Sequence, residues 1–320
     1  MDLLSQLGPF PKKRFPRMVL TLGTFDGVHV GHRAIIKAVR QEALKRKGTA
    51  ALLTFQEHPQ KVLRPDRKTP ILTSFEHKLL ILRQMGMNLC LAPHFNRSFA
   101  EMSPEKFVSE ILVRKLGVKK VILGHDSRFG HDREGDVKTM RDLSRKYGFQ
   151  FSLIPPVRRS GRTVSSTLIR ELIQDGNLAL AKTLLGRCYS VLATVEKGQG
   201  LGRKLGFPTA NLRVQSEVRP PHGVYLTKVR WMRNSKIEKE MPGILNFGVR
   251  PTLSATTGLR ETLEVHLFNW RQSLYGETLE VEFIKRLRKE KKFKSLEDLS
   301  RQILRDTQAA KRYFKLTSCE

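Results

Sequence analysis

Cysteine is scarce. Cys90, Cys188 and Cys319 stand far apart and odd in number among 320 residues. Such a set offers neither a disulfide framework nor a zinc site, so reduced, structural thiols are expected. Long apolar runs are missing as well, and nothing approaches the roughly 20 residues that cross a bilayer. The first residues, with Asp2 and then Pro9, Pro11 and Pro16 among Lys12, Lys13 and Arg14, do not resemble a signal peptide. A cytoplasmic protein is expected. Acidic residues are few: 30 Asp and Glu face 59 Lys and Arg, for a net charge of +29. That charge attracts polyanions without specificity and speeds the arrival of anionic substrates. The cations are spread along the whole chain, however, and no aromatic–basic nucleic-acid signature accompanies them. Nucleic acid is a minor alternative, and the charge reads as a background property.

What is present is enough for two domains, each with its own core, since 39% of the residues are hydrophobic. The first half alternates strand-like and helix-like stretches. Met18 to Leu22 is an apolar run. Arg33 to Lys47 carries Ile35, Ala38, Val39, Ala43 and Leu44 near helical spacing, and Gly48 stops it. Thr49 to Phe55, Met87 to Ala92, Lys120 to Leu123 and Phe149 to Ile154 read as further strands. Thr73 with Glu76 predicts a capping box for a helix ending at Gly86. Ser103-Pro104 opens another that runs to Gly117, and Gly135 to Tyr147 gives a third. This alternation predicts an α/β doubly wound parallel sheet with ligands beyond the carboxyl ends of its strands.

From Tyr189 the helical period disappears. Gly223 to Val229, Gly243 to Phe247, Thr262 to Phe268 and Thr278 to Ile284 read as strands between turns, predicting a small antiparallel β-barrel. A closing helix from near Ser295 is expected to turn Leu296, Leu299, Ile303 and Leu304 inward. The expected division is residues 1–186 and 187–320, with a short join.

Thr24-Phe25-Asp26-Gly27-Val28-His29-Val30-Gly31-His32 lies between the first apolar run and the first helix. A strand, a glycine turn and a helix in that order aim backbone N–H groups and a positive helix end where a phosphate fits. His29 and His32 add imidazole donors that bind phosphate oxygens without locking pyrophosphate in place. A turn histidine beside a helix-cap histidine is the plain account. The strand–turn–helix context favours nucleotide binding, with Gly23, Thr24, Phe25, Asp26 and Gly31 around the two rings. Val164-Ser165-Ser166-Thr167-Leu168-Ile169-Arg170 is the second signal. Ser165 or Ser166 can cap a helix while the other hydroxyls face a ligand, and Arg170, one turn in, can fork onto phosphate oxygens.

In the second half Gly198, Gly200, Gly202 and Gly206 lead into Phe207-Pro208-Thr209-Ala210-Asn211. Thr209 and Asn211 offer neutral oxygens that Mg2+ accepts alongside phosphate oxygens. Leu263-Glu264-Val265-His266-Leu267 puts Glu264 on the strand face opposite Leu263, Val265 and Leu267. A solvated strand glutamate is the plain account there.

Gly23 to His32 together with Ser165 to Arg170 resembles the HxGH nucleotidyltransferases. Leu53-Thr54-Phe55-Gln56-Glu57-His58-Pro59 and Gly124-His125-Asp126-Ser127-Arg128-Phe129-Gly130 narrow the likeness. They resemble the adenylyltransferase half of the bifunctional riboflavin kinase/FMN adenylyltransferases. The second half resembles riboflavin kinase through Gly202 to Asn211, Gly223-Val224-Tyr225, Asn246 to Thr252 and Leu274-Tyr275-Gly276. The resemblance spans about Val19 to Arg312. It implies phosphorylation of riboflavin to FMN and adenylylation of FMN to FAD with release of pyrophosphate, both steps using Mg-ATP.

By that resemblance His29 and His32 contact the phosphates, with Ser166, Thr167 and Arg170 at the β/γ end. In the kinase half, Gly198, Gly202, Gly206 and Pro208 line the nucleotide, Thr209 and Asn211 take Mg-ATP, and Glu264 is the catalytic base. His58, Pro59, Asp126 and Arg128 lie toward the flavin. Arg288, ahead of Lys291-Lys292-Phe293, stands either against flavin or phosphate or on a solvated basic face. Apo-flavoproteins are the implied recipients of the product. The chain departs from the family at Glu57, where proline is usual, and at Ser127, where an aromatic is usual. An active kinase joined to a first domain that only binds is the alternative those departures leave.

Overall fold

The apolar runs of the first half become the strands of one sheet. β1 (Asp2–Leu4), β2 (Val19–Leu22), β3 (Ala50–Leu53), β4 (Leu89–Leu91), β5 (Lys120–Gly124) and β6 (Gln150–Ile154) lie in the order β1-β4-β3-β2-β5-β6. Every pairing is parallel. The computed structural model describes every residue except 8–9, 58–69, 199–200, 216–217, 252–258, 271 and 318–320. By packing, the chain forms two units, Met1–Leu168 and Ile169–Glu320.

Successive residues of a strand feed opposite layers of the first unit. Leu20, Leu22 and Leu53 pack with Val108, Ile111 and Met140 on one face, and Val19 and Leu52 pack with Ile36, Val39 and Leu82 on the other. Two covered faces explain why these strands read as unbroken apolar runs rather than alternating ones. The chain steps from β2 through β3 to β4 in one direction, then returns to place β5 and β6 on the other side of β2. The order thus reverses between β2 and β5, which opens a crevice at their carboxyl ends. The histidine turn leaves β2 and Gly124-His125-Asp126 leaves β5 at that crevice.

α1 (Val30–Lys45) starts three residues before the expected Arg33, because His29 caps it. α2 (Phe75–Gln84) corrects the expected capping box. Its N-cap is Ser74, whose Oγ accepts the His77 N–H at 3.3 Å. Thr73 is drawn away to bond the histidine turn. Ser103 caps a helix that begins at Pro104–Lys106 and continues as a wider π-wound segment, Phe107–Lys115. α3 (Val137–Tyr147) is capped by Asp136 and ends in Gly148, whose φ of +71° suits a residue without Cβ. A small hairpin of β7 (Arg158–Arg159) and β8 (Arg162–Thr163) precedes α4 (Ser166–Gln174), the helix in which the two packing units meet along the chain.

In the second unit, α5 (Leu178–Leu185) leads to a closed barrel. Its strands are β9 (Tyr189–Glu196), β10 (Ala210–Val214), β11 (Gly223–Arg233), β12 (Lys236–Pro251), β13 (Leu259–Leu267) and β14 (Thr278–Lys289). They are antiparallel in the order β10-β13-β12-β11-β14-β9, and β9 closes back on β10. Tyr189, Val191, Tyr225, Leu245, Val265, Val281 and Phe283 are fully buried.

α6 (Leu296–Thr317) packs Ala310 and Phe314 against Val224, Leu226, Ile244 and Phe268. Two of its expected inner residues are corrected. Leu296 is 54% and Leu304 48% exposed, whereas Asp306, Thr307 and Ala310 are buried. The inner stripe therefore follows the bearing of Ile303, one residue before Leu304, and includes the polar pair between Asp306 and β14.

Candidate functional site

The histidine turn is built from residues in backbone conformations that cost energy. Phe25 has φ +50° and Val28 φ +41°, on either side of Gly27 at +79°. A β-branched residue in the left-handed region is an outlier, and such strain of roughly 1–3 kcal/mol persists only where surrounding contacts enforce it. Those contacts are on hand. The buried Asp26 carboxylate accepts the Leu72 N–H at 2.9 Å and the Thr73 N–H at 3.1 Å, and Thr73 Oγ1 accepts the Gly27 N–H at 2.7 Å. Asp26 is therefore committed to backbone donors and braces the turn. Gly23 donates its N–H to the Leu53 carbonyl at 3.1 Å, and the Thr24 carbonyl accepts from Thr54 Oγ1 at 3.2 Å.

That bracing delivers two imidazoles. His29 Nδ1 accepts the His32 backbone N–H at 3.3 Å, which leaves Nε2 as the donor nitrogen of the neutral His29 ring. The two rings stack with centroids 3.6 Å apart, and Phe25 lies 4.9 Å from His32. His32 Nδ1 is enclosed and has no hydrogen-bond partner among the described residues. Burial, then His29 and Lys78 nearby, hold the His32 pKa well below 6.5, so its ring is neutral at pH 7. A Cβ at Gly31 would come within 3.1 Å of the His29 ring.

The second signal reaches the same turn. Ser165 Oγ accepts the Leu168 N–H at 3.2 Å and so is the capping residue of α4, while Ser166 Oγ donates to the Asp26 carbonyl at 2.9 Å. Thr167 is exposed. Arg170 follows Ser166 by four residues on α4, hence on the same helix face. At the end of β5, Asp126 is exposed, with Oδ1 3.9 Å from His125 Nδ1, and Arg128 lies 3.6 Å from Asp136. His58 and Pro59 lie outside the described residues.

The barrel carries a separate constellation. Strand register sets Asn211 of β10 opposite Glu264 of β13, and Glu264 opposite Asn246 of β12. Paired residues share a sheet face, so the three form one polar row. Leu263, Val265 and Leu267 point the other way into the barrel core. Glu264 is half-buried, not a freely solvated strand residue.

The loop before β10 folds down on this row. A Cβ at Gly198 would fall 1.9 Å from Asn211 Nδ2, and one at Gly202 would meet Phe207 O at 2.5 Å and Thr209 Oγ1 at 3.0 Å. Gly206 has φ +82°, and the Pro208 carbonyl lies 2.8 Å from His266 Nδ1. Arg288 is not on a solvated face. Its Nη2 lies 2.8 Å and its Nε 2.9 Å from Asp306 Oδ2, tying β14 to α6. No group of three or more His, Cys, Asp or Glu suited to a metal ion occurs among the described residues.

The two constellations coincide with two family models. Residues 12–168 match the one described as FAD synthetase, and residues 185–314 the one described as riboflavin kinase. A bifunctional riboflavin kinase/FMN adenylyltransferase from Escherichia coli strain K12 is 38% identical over 299 residues, covering 93% of each chain. The chain belongs to the bifunctional riboflavin kinase/FMN adenylyltransferase family.

Relatives of the same description include one from Haemophilus influenzae, 37% identical over 92% of this chain and 94% of its own. One from Bacillus subtilis strain 168 is 35% identical over 95% of this chain and 94% of its own. A solved Streptococcus pneumoniae structure, described as a macrolide-efflux protein, has a TM-score of 0.80 at 26% identity, covering 97% of this chain and 98% of that one. No helix among the described residues is long and apolar enough to cross a membrane.

Three features of these constellations escape sequence reading. Thr73 and Lys78 both bond the histidine turn, 46 and 54 residues away in sequence, and no local pattern announces that. Asn246 joins Glu264 only through strand register. The Arg288–Asp306 pair crosses from a strand to a helix, and only the odd placing of an acid on the apolar stripe of α6 hints at it.

Proposed function

We propose that this chain makes FAD from riboflavin in two ATP-consuming steps, one in each half. The barrel is a riboflavin kinase and the doubly wound domain an FMN adenylyltransferase. The functional division we assign is residues 1–186 and 187–320. The observation that carries the reading is the separation of the two constellations: a stacked histidine pair beyond β2, and the Asn211–Glu264–Asn246 row on the barrel.

In the kinase step the 5′-hydroxyl oxygen of riboflavin attacks the γ-phosphorus of ATP, the bond to the β-phosphate bridge breaks, and ADP leaves. Glu264 accepts the hydroxyl proton as that attack develops. Its half-buried position in register with two asparagines holds the carboxylate in the polar row. Magnesium enters with ATP. The residues present suit it: Thr209 and Asn211 give neutral oxygens, and the glycine loop lies so close to both that a side chain at Gly198 or Gly202 would fill the cradle. Thr209 and Asn211 would hold the ion, which when bound neutralises charge on the β- and γ-phosphates. Gly198, Gly202, Gly206 and Pro208 bring backbone to the nucleotide.

In the adenylyl step a phosphate oxygen of FMN attacks the α-phosphorus of ATP and pyrophosphate departs. No protein group needs to form a bond. Alignment and stabilisation of the spreading charge supply the rate. His29 and His32 donate to phosphate oxygens, supported by Gly23, Thr24, Phe25 and Gly31. Ser166, Thr167 and Arg170 take the β/γ end, and Asp26 acts by holding the turn. Asp126, Arg128, His58 and Pro59 are assigned to the flavin side. Arg288 serves the kinase flavin site through the position of α6. We assign the enzyme to the cytoplasm, with apo-flavoproteins as the recipients of its product.

Incubating the purified chain with riboflavin, ATP and Mg2+ and separating the products by chromatography tests the reading. FMN and then FAD are expected. Unchanged riboflavin would overturn it.

A further inference from the structure

Lys78 is buried, only 7% exposed, directly beneath the histidine turn. Its Nζ donates to the Thr24 carbonyl at 2.8 Å and to Thr54 Oγ1 at 3.2 Å, with the Phe75 ring 5.7 Å away. Two things oppose a lysine there. Burial removes the hydration of its ammonium, and its place in the first turn of α2 sets it at the positive end of a helix. Asp26 is the one nearby carboxylate among the described residues, and backbone N–H groups already occupy it. A methionine or leucine would fill this space at lower cost, so packing alone does not account for the cation.

We propose that Lys78 is a positioning residue of the adenylyl-transfer site, fixing the Thr24 carbonyl and supplying the buried positive charge that an arriving triphosphate compensates. The inference rests on the histidine turn being the ATP site of that step. Bound triphosphate stabilises the ammonium, and by reciprocity the ammonium stabilises bound triphosphate. Loss of that proton weakens ATP binding and leaves the flavin reaction in the barrel untouched.

The surrounding groups make the proton readable. Burial depresses Lys78 to about 8, against the opposing pull of Asp26 and then Cys90. His32, on α1, is held well below 6.5, and the Cys90 thiol on β4 is pushed up to about 11 by burial. Among the described residues, His29 at the N-cap of α1, His77 on α2 and Asp26 of the turn are the other titratable groups of these elements nearest to it.

The test is kcat/KM for ATP in FAD formation from supplied FMN, measured from about pH 7 to 9.5, a window wide enough to titrate a depressed lysine. FMN formation from riboflavin in the same preparations is the companion reading. The intact enzyme is expected to lose kcat/KM above about pH 8 through a rising KM, while kcat at saturating ATP holds. Lys78→Met should lower kcat/KM roughly ten- to hundredfold at neutral pH and abolish the alkaline limb, the scale of one removed electrostatic contact. Lys78→Arg, permanently charged, should hold its kcat/KM through the alkaline end.

An intact enzyme whose kcat/KM stays level through the window would overturn the proposal, as would Lys78→Met with the normal profile. If Lys78→Met loses its near-ultraviolet circular dichroism, Lys78→Arg decides: an unchanged alkaline limb overturns the proposal. Indifference of FAD formation to His29→Ala would instead remove the reading on which it rests.

Discussion

His29 and His32 stack ring on ring with centroids 3.6 Å apart, and the His29 side chain caps the helix that carries His32. One residue thus sets the position of the other, and the pair acts as a unit.

His29→Ala is therefore expected to cost twice. FAD formation from FMN should fall roughly 10²–10³-fold with the loss of the proposed donor to the phosphates. The lost N-cap should cost about 1 kcal/mol of stability. FMN formation from riboflavin, followed by chromatography in the same tube, should be unchanged.

The depressed pKa of His32 sets a pH dependence of stability. Unfolded, the ring titrates near 6.5; folded, it takes its proton only at much lower pH. Between those values the unfolded chain binds more protons, so stability is full above 6.5 and declines as pH falls through and below it. Thermal unfolding followed by near-ultraviolet circular dichroism should show Tm dropping on acidification from pH 7.5, and His32→Asn should flatten that slope.

Glu264→Gln keeps the shape of the side chain and removes the carboxylate proposed as the base. FMN formation should fall roughly 10²–10⁴-fold, the usual worth of a positioned proton acceptor. FAD formation from supplied FMN should persist. A matched loss of both steps would contradict a base confined to the barrel.

Gly198→Ala places a methyl 1.9 Å from the Asn211 amide. Either the loop or Asn211 must move, so the KM for ATP in the kinase step should rise while the adenylyl step is spared. Initial rates against ATP for each step check this.

Asp306→Asn leaves the Arg288 guanidinium, 16% exposed, without its carboxylate. Breaking a pair this enclosed costs roughly 3 kcal/mol or more. Loss of kinase activity should come at lower urea concentration, with the adenylyl step less affected.

The histidine turn, the parallel sheet and the barrel were legible because each rests on a local pattern: an apolar run, a glycine, a change of period. The sites were only half legible, since their other parts meet through folding. Thr73 reads as a helix cap until Asp26 and Gly27 claim it. Lys78 reads as one more cation among 59 Lys and Arg until burial singles it out. Leu296 and Leu304 fit the helical period of α6, yet Leu296 is the first residue of the helix and stays exposed, and Leu304 lies off the stripe that holds Asp306, Thr307 and Ala310. Strands β9 and β10 escaped a definite reading because β9 opens with three successive buried residues that blur its alternation, and β10 spans only five residues.

The shared helix α4 limits how the enzyme can be dissected. Ser165, Ser166 and Thr167 precede the packing boundary at Leu168, and Arg170 follows it on the same helix. A fragment ending at Leu168 would keep both histidines and lose the guanidinium, so its silence would say nothing against the histidines. One ending at Gly186 retains the helix whole, and only such a fragment gives an isolated adenylyltransferase a fair trial.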